Sequence, residues 1–233
     1  MPPYVYWYSN PYAEKITRGK SPIFNNEGKF ISDYDQAQFN VKGYYAYIEY
    51  NKKGKYTRAC NSMYCGQLIL AAVINALDPQ VTADGIIDKL RAYHPPCGDT
   101  GTGAQEISDF LNTQYADYFK SIVKEHKESE LPGYLRRALG EGKVIMPIVN
   151  MNTGYENQLG VENKHPHWVL ITGVSAQWNY SNSESQWNWV RVLNPFDNRI
   201  EYYWWKDFKN SWRYNSSKYK EVSIKEKEYK LDK

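Results

Sequence analysis

Apolar residues follow two different patterns along this chain. Between Cys65 and Leu77 they crowd together, with Leu68, Ile69, Leu70, Val73, Ile74 and Leu77 spread over nearly every direction around a helix, and Asp78-Pro79 closes the run. A helix that is apolar all round belongs inside a domain. Spacing of three and four predicts a second helix from about Thr82 to Tyr93, capped by Thr82 and stopped by Pro95-Pro96. A third follows Thr102-Gly103-Ala104-Gln105, which has the capping-box form, with Ile107, Phe110, Leu111 and Tyr115 on one face. Leu131, Leu135, Ala138 and Leu139 predict a fourth, ending at Gly140 or Gly142. Beyond it the pattern changes to strands: Val144 to Val149, Trp168 to Val174, Trp189 to Leu193 and Ile200 to Trp204, with Val222-Ser223-Ile224 as an edge strand and Asp207 to Trp212 as a short helical turn. Helices and strands that are segregated rather than alternating predict an α+β domain, not a doubly wound one.

Residues 1–59 are polar and aromatic with Gly, Asn and Pro punctuation and read as an irregular segment, in which Gly43 to Tyr50 resembles a hairpin arm turning at Lys53-Gly54. The expected organisation is a single domain over 1–233: the irregular segment, a mostly helical half over 60–142, a mostly sheet half over 143–224, and a charged tail over 225–233. Met1 to Tyr8 has neither a basic n-region nor an apolar h-region and does not read as a secretory signal.

Composition narrows the function. With 29 Lys+Arg against 26 Asp+Glu, the net charge of +3 gives no basic footprint for nucleic acid, so no nucleic-acid partner is expected. The longest apolar run, Leu68 to Ala76, falls far short of the roughly 20 residues of a membrane span. Aromatic residues make up 16 % of the chain while the mean hydropathy is −0.73. Paired aromatics such as Tyr202-Tyr203-Trp204-Trp205 fit a half-buried sheet better than a binding groove.

Three cysteines cannot all pair internally, which leaves at least one thiol over. Cys65 stands directly before the most apolar helix, where the helix dipole and free backbone N–H groups favour a thiolate. The following Gly66 removes a side chain beside the sulfur and would let a substrate carbonyl approach. The plainer alternative is a buried structural cysteine. His167 begins the apolar stretch Trp168 to Val174, so the sheet would fix its imidazole within reach of a thiol on a helix. His165 precedes Pro166, which breaks the ladder, and the His-x-His pair lacks third and fourth metal ligands at recognisable spacing. Val190 to Leu193 ends in Asn194-Pro195, which places an amide near the start of the histidine strand if the two form a hairpin. Cys65, His167 and Asn194 together supply nucleophile, base and orienter.

With these pieces in view the chain resembles the papain-like cysteine peptidase superfamily, C39-like peptidases above all. The match runs through Tyr64-Cys65-Gly66 with its apolar helix, His167-Trp168-Val169-Leu170-Ile171-Thr172-Gly173-Val174, and Asn194-Pro195. The helix start is also similar to phytochelatin synthase, a papain-like transpeptidase. The resemblance implies a papain-like fold, a helical half packed on a mostly antiparallel sheet, and a Cys65-His167-Asn194 triad that opens a peptide or amide bond through a thioester, with a peptide or protein substrate and no cofactor. Two positions depart from the family pattern. A Gln usually precedes the cysteine and completes the oxyanion hole, whereas Ala59 stands six positions upstream and Asn61 is the nearest amide. Asn10, in Tyr8-Ser9-Asn10, resembles the Tyr-Ser-Gln segment near the N-terminus of C39-like chains. C39-like members mostly carry Asp-Pro where this chain has Asn194-Pro195.

Deamidation and acyl transfer share the same chemistry and stay open, as does a catalytically inactive papain-like module that binds peptide or glycan. Outside a reducing compartment, Cys60 and Cys97 are the pair expected to form a disulfide, leaving Cys65 free; that outcome would favour a secreted or cell-surface location.

Overall fold

The computed structural model describes residues 6–17, 22–24, 30–32, 65–78, 85–86, 89–90, 102–150, 166–177, 188–194, 199–212 and 218–227. In chain order they form β1 (Trp7–Tyr8), α1 (Pro11–Thr17), β2 (Pro22–Phe24), β3 (Phe30–Ser32), α2 (Cys65–Asn75), α3 (Ala104–Gln114), β4 (Phe119–His126) and α4 (Leu131–Gly140). The remaining elements are β5 (Lys143–Asn150), β6 (Pro166–Trp168), β7 (Leu170–Ser175), β8 (Trp189–Asn194), β9 (Arg199–Trp204), α5 (Trp205–Trp212) and β10 (Tyr219–Glu226). The protein is α+β, built on one antiparallel sheet in the order β4-β10-β5-β7-β8-β9, with β1 added to β7 and β6 to β5. β2 and β3 form a separate two-stranded hairpin.

The two faces of the sheet carry separate cores. Val144, Met146, Trp168, Leu170, Leu193 and Ile224 pack with α1, α2 and α3. Ile145, Val149, Ile171, Val174, Val190 and Val192 pack with α4 and α5. Strand alternation explains the division, since neighbours such as Val144 and Ile145 point to opposite faces. Both faces are therefore apolar, and β7 is buried along its whole length. The α2 run behaves as its composition demands: Leu68 to Ile74 is buried without a break. Tyr12 adds a tether by donating its hydroxyl to the Val73 carbonyl at 2.7 Å.

Several expectations need correction. The segment before residue 60 is not wholly irregular, because β1 pairs with β7 and α1 follows it. Asn10 caps α1, accepting the Ala13 N–H at 2.8 Å through Oδ1, and Pro11 occupies the first helical position, where its missing N–H costs nothing. β4 lies inside the mostly helical half. Its burial alternates only over its first residues and its outer face carries charge, as suits the edge strand it is. Val222 to Ile224 was the expected edge, yet β10 lies between β4 and β5, paired on both sides. The cap of α3 is Gly103, not Thr102: Gly103 donates its N–H to Glu106 Oε2 at 2.7 Å, while the Thr102 hydroxyl is taken by Gln67. The histidine strand is broken at Val169 into β6 and β7.

Other elements fall where the pattern put them. α4 ends at Gly140, and Gly142, at φ +77°, makes the reversal into β5. Tyr202, Tyr203 and Trp204 are half-buried on the sheet as expected, whereas Trp205 begins α5 and is fully buried. Residues 85–86 and 89–90 are helical, within the helix expected over 82–93. The Gly43 to Tyr50 arm, Cys60, Asn61, Cys97 and His165 lie outside the described residues. Among the described residues no helix is long and apolar enough to cross a membrane.

Candidate active site

Cys65 is the first residue of α2, and its Sγ accepts the backbone N–H of Trp168 at 3.4 Å. This bond joins the nucleophile candidate to β6, the strand that carries His167. β6 is itself held on β5, with His167 opposite Val149 and Trp168 opposite Ile148. The Trp168 indole then reaches the loop before α3, donating Nε1–H to the Thr102 carbonyl at 2.9 Å. Gln67, two residues into α2, donates to the Thr102 hydroxyl at 2.7 Å. One aromatic side chain and one loop residue thus fasten the start of α2 to the sheet.

This packing revises the role of Gly66. A Cβ at that position would lie 3.2 Å from Trp168 Cδ1 and 3.3 Å from Ile107 Cδ1. The indole fills the space that was expected to admit a substrate, so the glycine permits the helix to approach Trp168.

His167 and Asn194 meet as the hairpin argument required. Leu170 pairs with Leu193, which sets Asn194 beside the start of the histidine strand. His167 Nε2 lies 2.9 Å from Asn194 Oδ1, and both side chains are buried. An amide oxygen can only accept, so Nε2 carries the proton and Nδ1 holds the lone pair.

Behind Asn194 stands a residue that the sequence reading missed. Glu201 on β9 is buried at 9 % exposure, and Asn194 Nδ2 lies 3.3 Å from each of its carboxylate oxygens. Tyr203 donates its hydroxyl to Oε2 at 2.5 Å. The register explains the meeting: Asn194 pairs with Arg199, and Glu201 lies two residues further along, diagonal to Asn194 on the same face. The available signal was a lone acid in the aromatic and apolar stretch Ile200 to Trp205.

Burial governs the charge state of both Cys65 and His167. It pushes the Cys65 thiol up, against the backbone N–H groups of Trp168, Gly66 and Cys65 itself, which favour the thiolate. It lowers the His167 imidazole to about 4, against the Asn194 bond, which favours the protonated ring. The expected helix-end thiolate is therefore corrected: desolvation outweighs the helix end, and the resting groups are a neutral thiol and a neutral imidazole.

Asn10 is not available to an oxyanion. Its Nδ2 donates to the Leu139 carbonyl at 3.0 Å and the Lys143 carbonyl at 2.9 Å, so it ties α1 to the turn between α4 and β5. Among the described residues no three His, Cys, Asp or Glu side chains gather as a metal set. No family model matches the sequence, and a search of curated proteins finds none with significant similarity.

Proposed function

We propose that this protein is a thiol-dependent hydrolase of papain-like type, acting on a peptide or amide bond through Cys65, His167 and Asn194. The observation that carries the reading is the 2.9 Å bond between His167 Nε2 and Asn194 Oδ1, made by the residue next to the one whose N–H meets the Cys65 sulfur. That bond leaves Nδ1 as the basic nitrogen of a neutral ring, the state a general base requires.

The chemistry follows from those protonation states. Nδ1 of His167 takes the thiol proton as Sγ attacks the carbonyl carbon, so the thiolate forms only with the new C–S bond. Asn194 stabilises the imidazolium through its oxygen. Backbone N–H groups at the start of α2, which lie beside the Cys65 sulfur, serve as donors for the oxyanion. The imidazolium then protonates the leaving amine, the C–N bond breaks, and a thioester remains on Cys65. Water, deprotonated by the regenerated imidazole, attacks the thioester carbon; the C–S bond breaks, the acid leaves, and the imidazolium returns its proton to the Cys65 sulfur.

A peptidyl fluoromethyl ketone tests this, because its ketone calls for the same attack and the adduct is stable to peptide mapping. The expected result is one adduct at Cys65, lost in Cys65→Ala and slowed by about 100-fold or more in His167→Ala, within the general-base range. Equal labelling of Cys60 or Cys97, or a rate indifferent to His167, would overturn the proposal.

A further inference from the structure

We infer that Glu201 is a positioning residue for His167, acting through Asn194 to hold the imidazole in the tautomer whose Nδ1 is free; this rests on the reading of Cys65, His167 and Asn194 given above. Asn194 by itself does not choose a tautomer. Its side chain has an oxygen and an NH2 group of nearly the same shape, and rotation by a half-turn would offer His167 a donor instead of an acceptor. A donor would require an unprotonated Nε2, move the ring proton to Nδ1, and leave the nitrogen bonded to Asn194 as the ring's basic one.

Glu201 makes the two orientations unequal. In the observed one, Nδ2 faces both carboxylate oxygens at 3.3 Å, and Oδ1 faces Nε2 at 2.9 Å. In the rotated one, Oδ1 would face a carboxylate, setting acceptor against acceptor in a buried site. A charged acceptor discriminates more strongly than a neutral one, and the low dielectric of the interior adds to the difference. Tyr203 holds the carboxylate by donating to Oε2 at 2.5 Å, so that Oε2 accepts from both Tyr203 and Asn194. Glu201 and Tyr203 on β9 support Asn194 on β8, which faces His167 on β6; the order Tyr203, Glu201, Asn194, His167 forms one polar line across three strands.

The primary test is Glu201→Gln, which keeps the volume but offers both an oxygen and an NH2 to Asn194 and so removes the preference. Two readouts are taken on the intact protein at pH 7.5. Long-range ¹H–¹⁵N correlation spectra report which nitrogen of each histidine ring carries the proton, with His167 assigned by its loss in His167→Gln. The rate of Cys65 labelling by the fluoromethyl ketone reports the base. In the wild type, His167 is expected as the Nε2–H tautomer. In Glu201→Gln the ring is expected to populate both tautomers, and labelling to slow about 10- to 100-fold, the range for residues that orient an active group from behind. Glu201→Asp, which restores the charge, is expected to recover the Nε2–H form at least in part, and Tyr203→Phe to show a smaller version of the Gln effect. If His167 stays Nε2–H and labelling is unchanged in a folded Glu201→Gln, the inference is overturned while the hydrolase reading stands. If wild-type Cys65 fails to label, the hydrolase reading falls, and the tautomer spectra still decide whether Glu201 orders the ring.

Discussion

Acid should unfold this protein partly through one ring. His167 is buried at 6 % exposure, and its imidazole holds a proton only near pH 4, against 6.5 for the free side chain, because burial outweighs the Asn194 bond. The unfolded chain therefore takes up this proton first as pH falls. Above about 6.5 both states are neutral at this ring and nothing is lost. Between 6.5 and about 4 the unfolded state binds up to one more proton than the native state, and stability falls by about 1.4 kcal/mol per pH step at the steepest. Over that window the loss comes to about 3 kcal/mol, a large share of the net stability of an ordinary domain. The perturbation is His167→Gln, which keeps a hydrogen-bonding side chain opposite Asn194 but cannot titrate. Urea denaturation of both proteins from pH 4 to pH 7.5 gives the difference in unfolding free energy at each pH, and the carboxylates common to both largely cancel. The variant is expected to gain on the wild type by about 3 kcal/mol on going from pH 7 to pH 4. Parallel curves would show that His167 titrates alike in both states, and the argument from burial would fail.

Other outcomes follow from the same packing. Tyr134→Phe removes the hydroxyl that donates to Glu221, a carboxylate with no exposure, and should cost about 1–3 kcal/mol in denaturant melts; a loss below 0.5 kcal/mol would mean that the carboxylate finds another donor. Gly66→Ala forces a methyl to within 3.2 Å of the Trp168 ring and 3.3 Å of Ile107, and should lower the thermal midpoint through about 1–3 kcal/mol of overpacking; an unchanged midpoint would show that the indole yields freely. Arg191→Met cuts bonds to Ser9, Glu14 and the Thr172 carbonyl at 2.9, 2.6 and 3.1 Å, so limited proteolysis should cleave before α2 faster than in the wild type. Equal cleavage rates would show that β1 and α1 hold the N-terminal segment without it.

Elements set by local pattern were legible without coordinates. The unbroken apolar run predicts α2, the spacing of Leu131 to Leu139 predicts α4, and the apolar strands β5, β7 and β8 lie where alternation and turn residues put them. The pieces of the candidate site were legible for a similar reason. A thiol at a helix start, a histidine opening a strand and an amide closing the next are each marked by immediate neighbours, and the hairpin register then brings His167 to Asn194.

What the chain pattern could not express was pairing between distant segments and the solvent each group loses. β4 carried no reading and Val222 to Ile224 read as an edge, because Lys and Glu interrupt both stretches, and only the sheet order makes β4 an edge and β10 an interior strand. α1 escaped notice because seven residues carry too little periodicity, though Asn10-Pro11 marked its start. Gly66 faces a tryptophan 102 positions away, which no local reading supplies. The charge states were decided in the same way: a helix end favours a thiolate, but the burial of each group is a property of the assembled layers, and it makes the resting thiol and imidazole neutral. Glu201 is the sharpest case, since its position in the chain says only that an acid interrupts an aromatic strand, while the diagonal across β8 and β9 turns that acid toward Asn194.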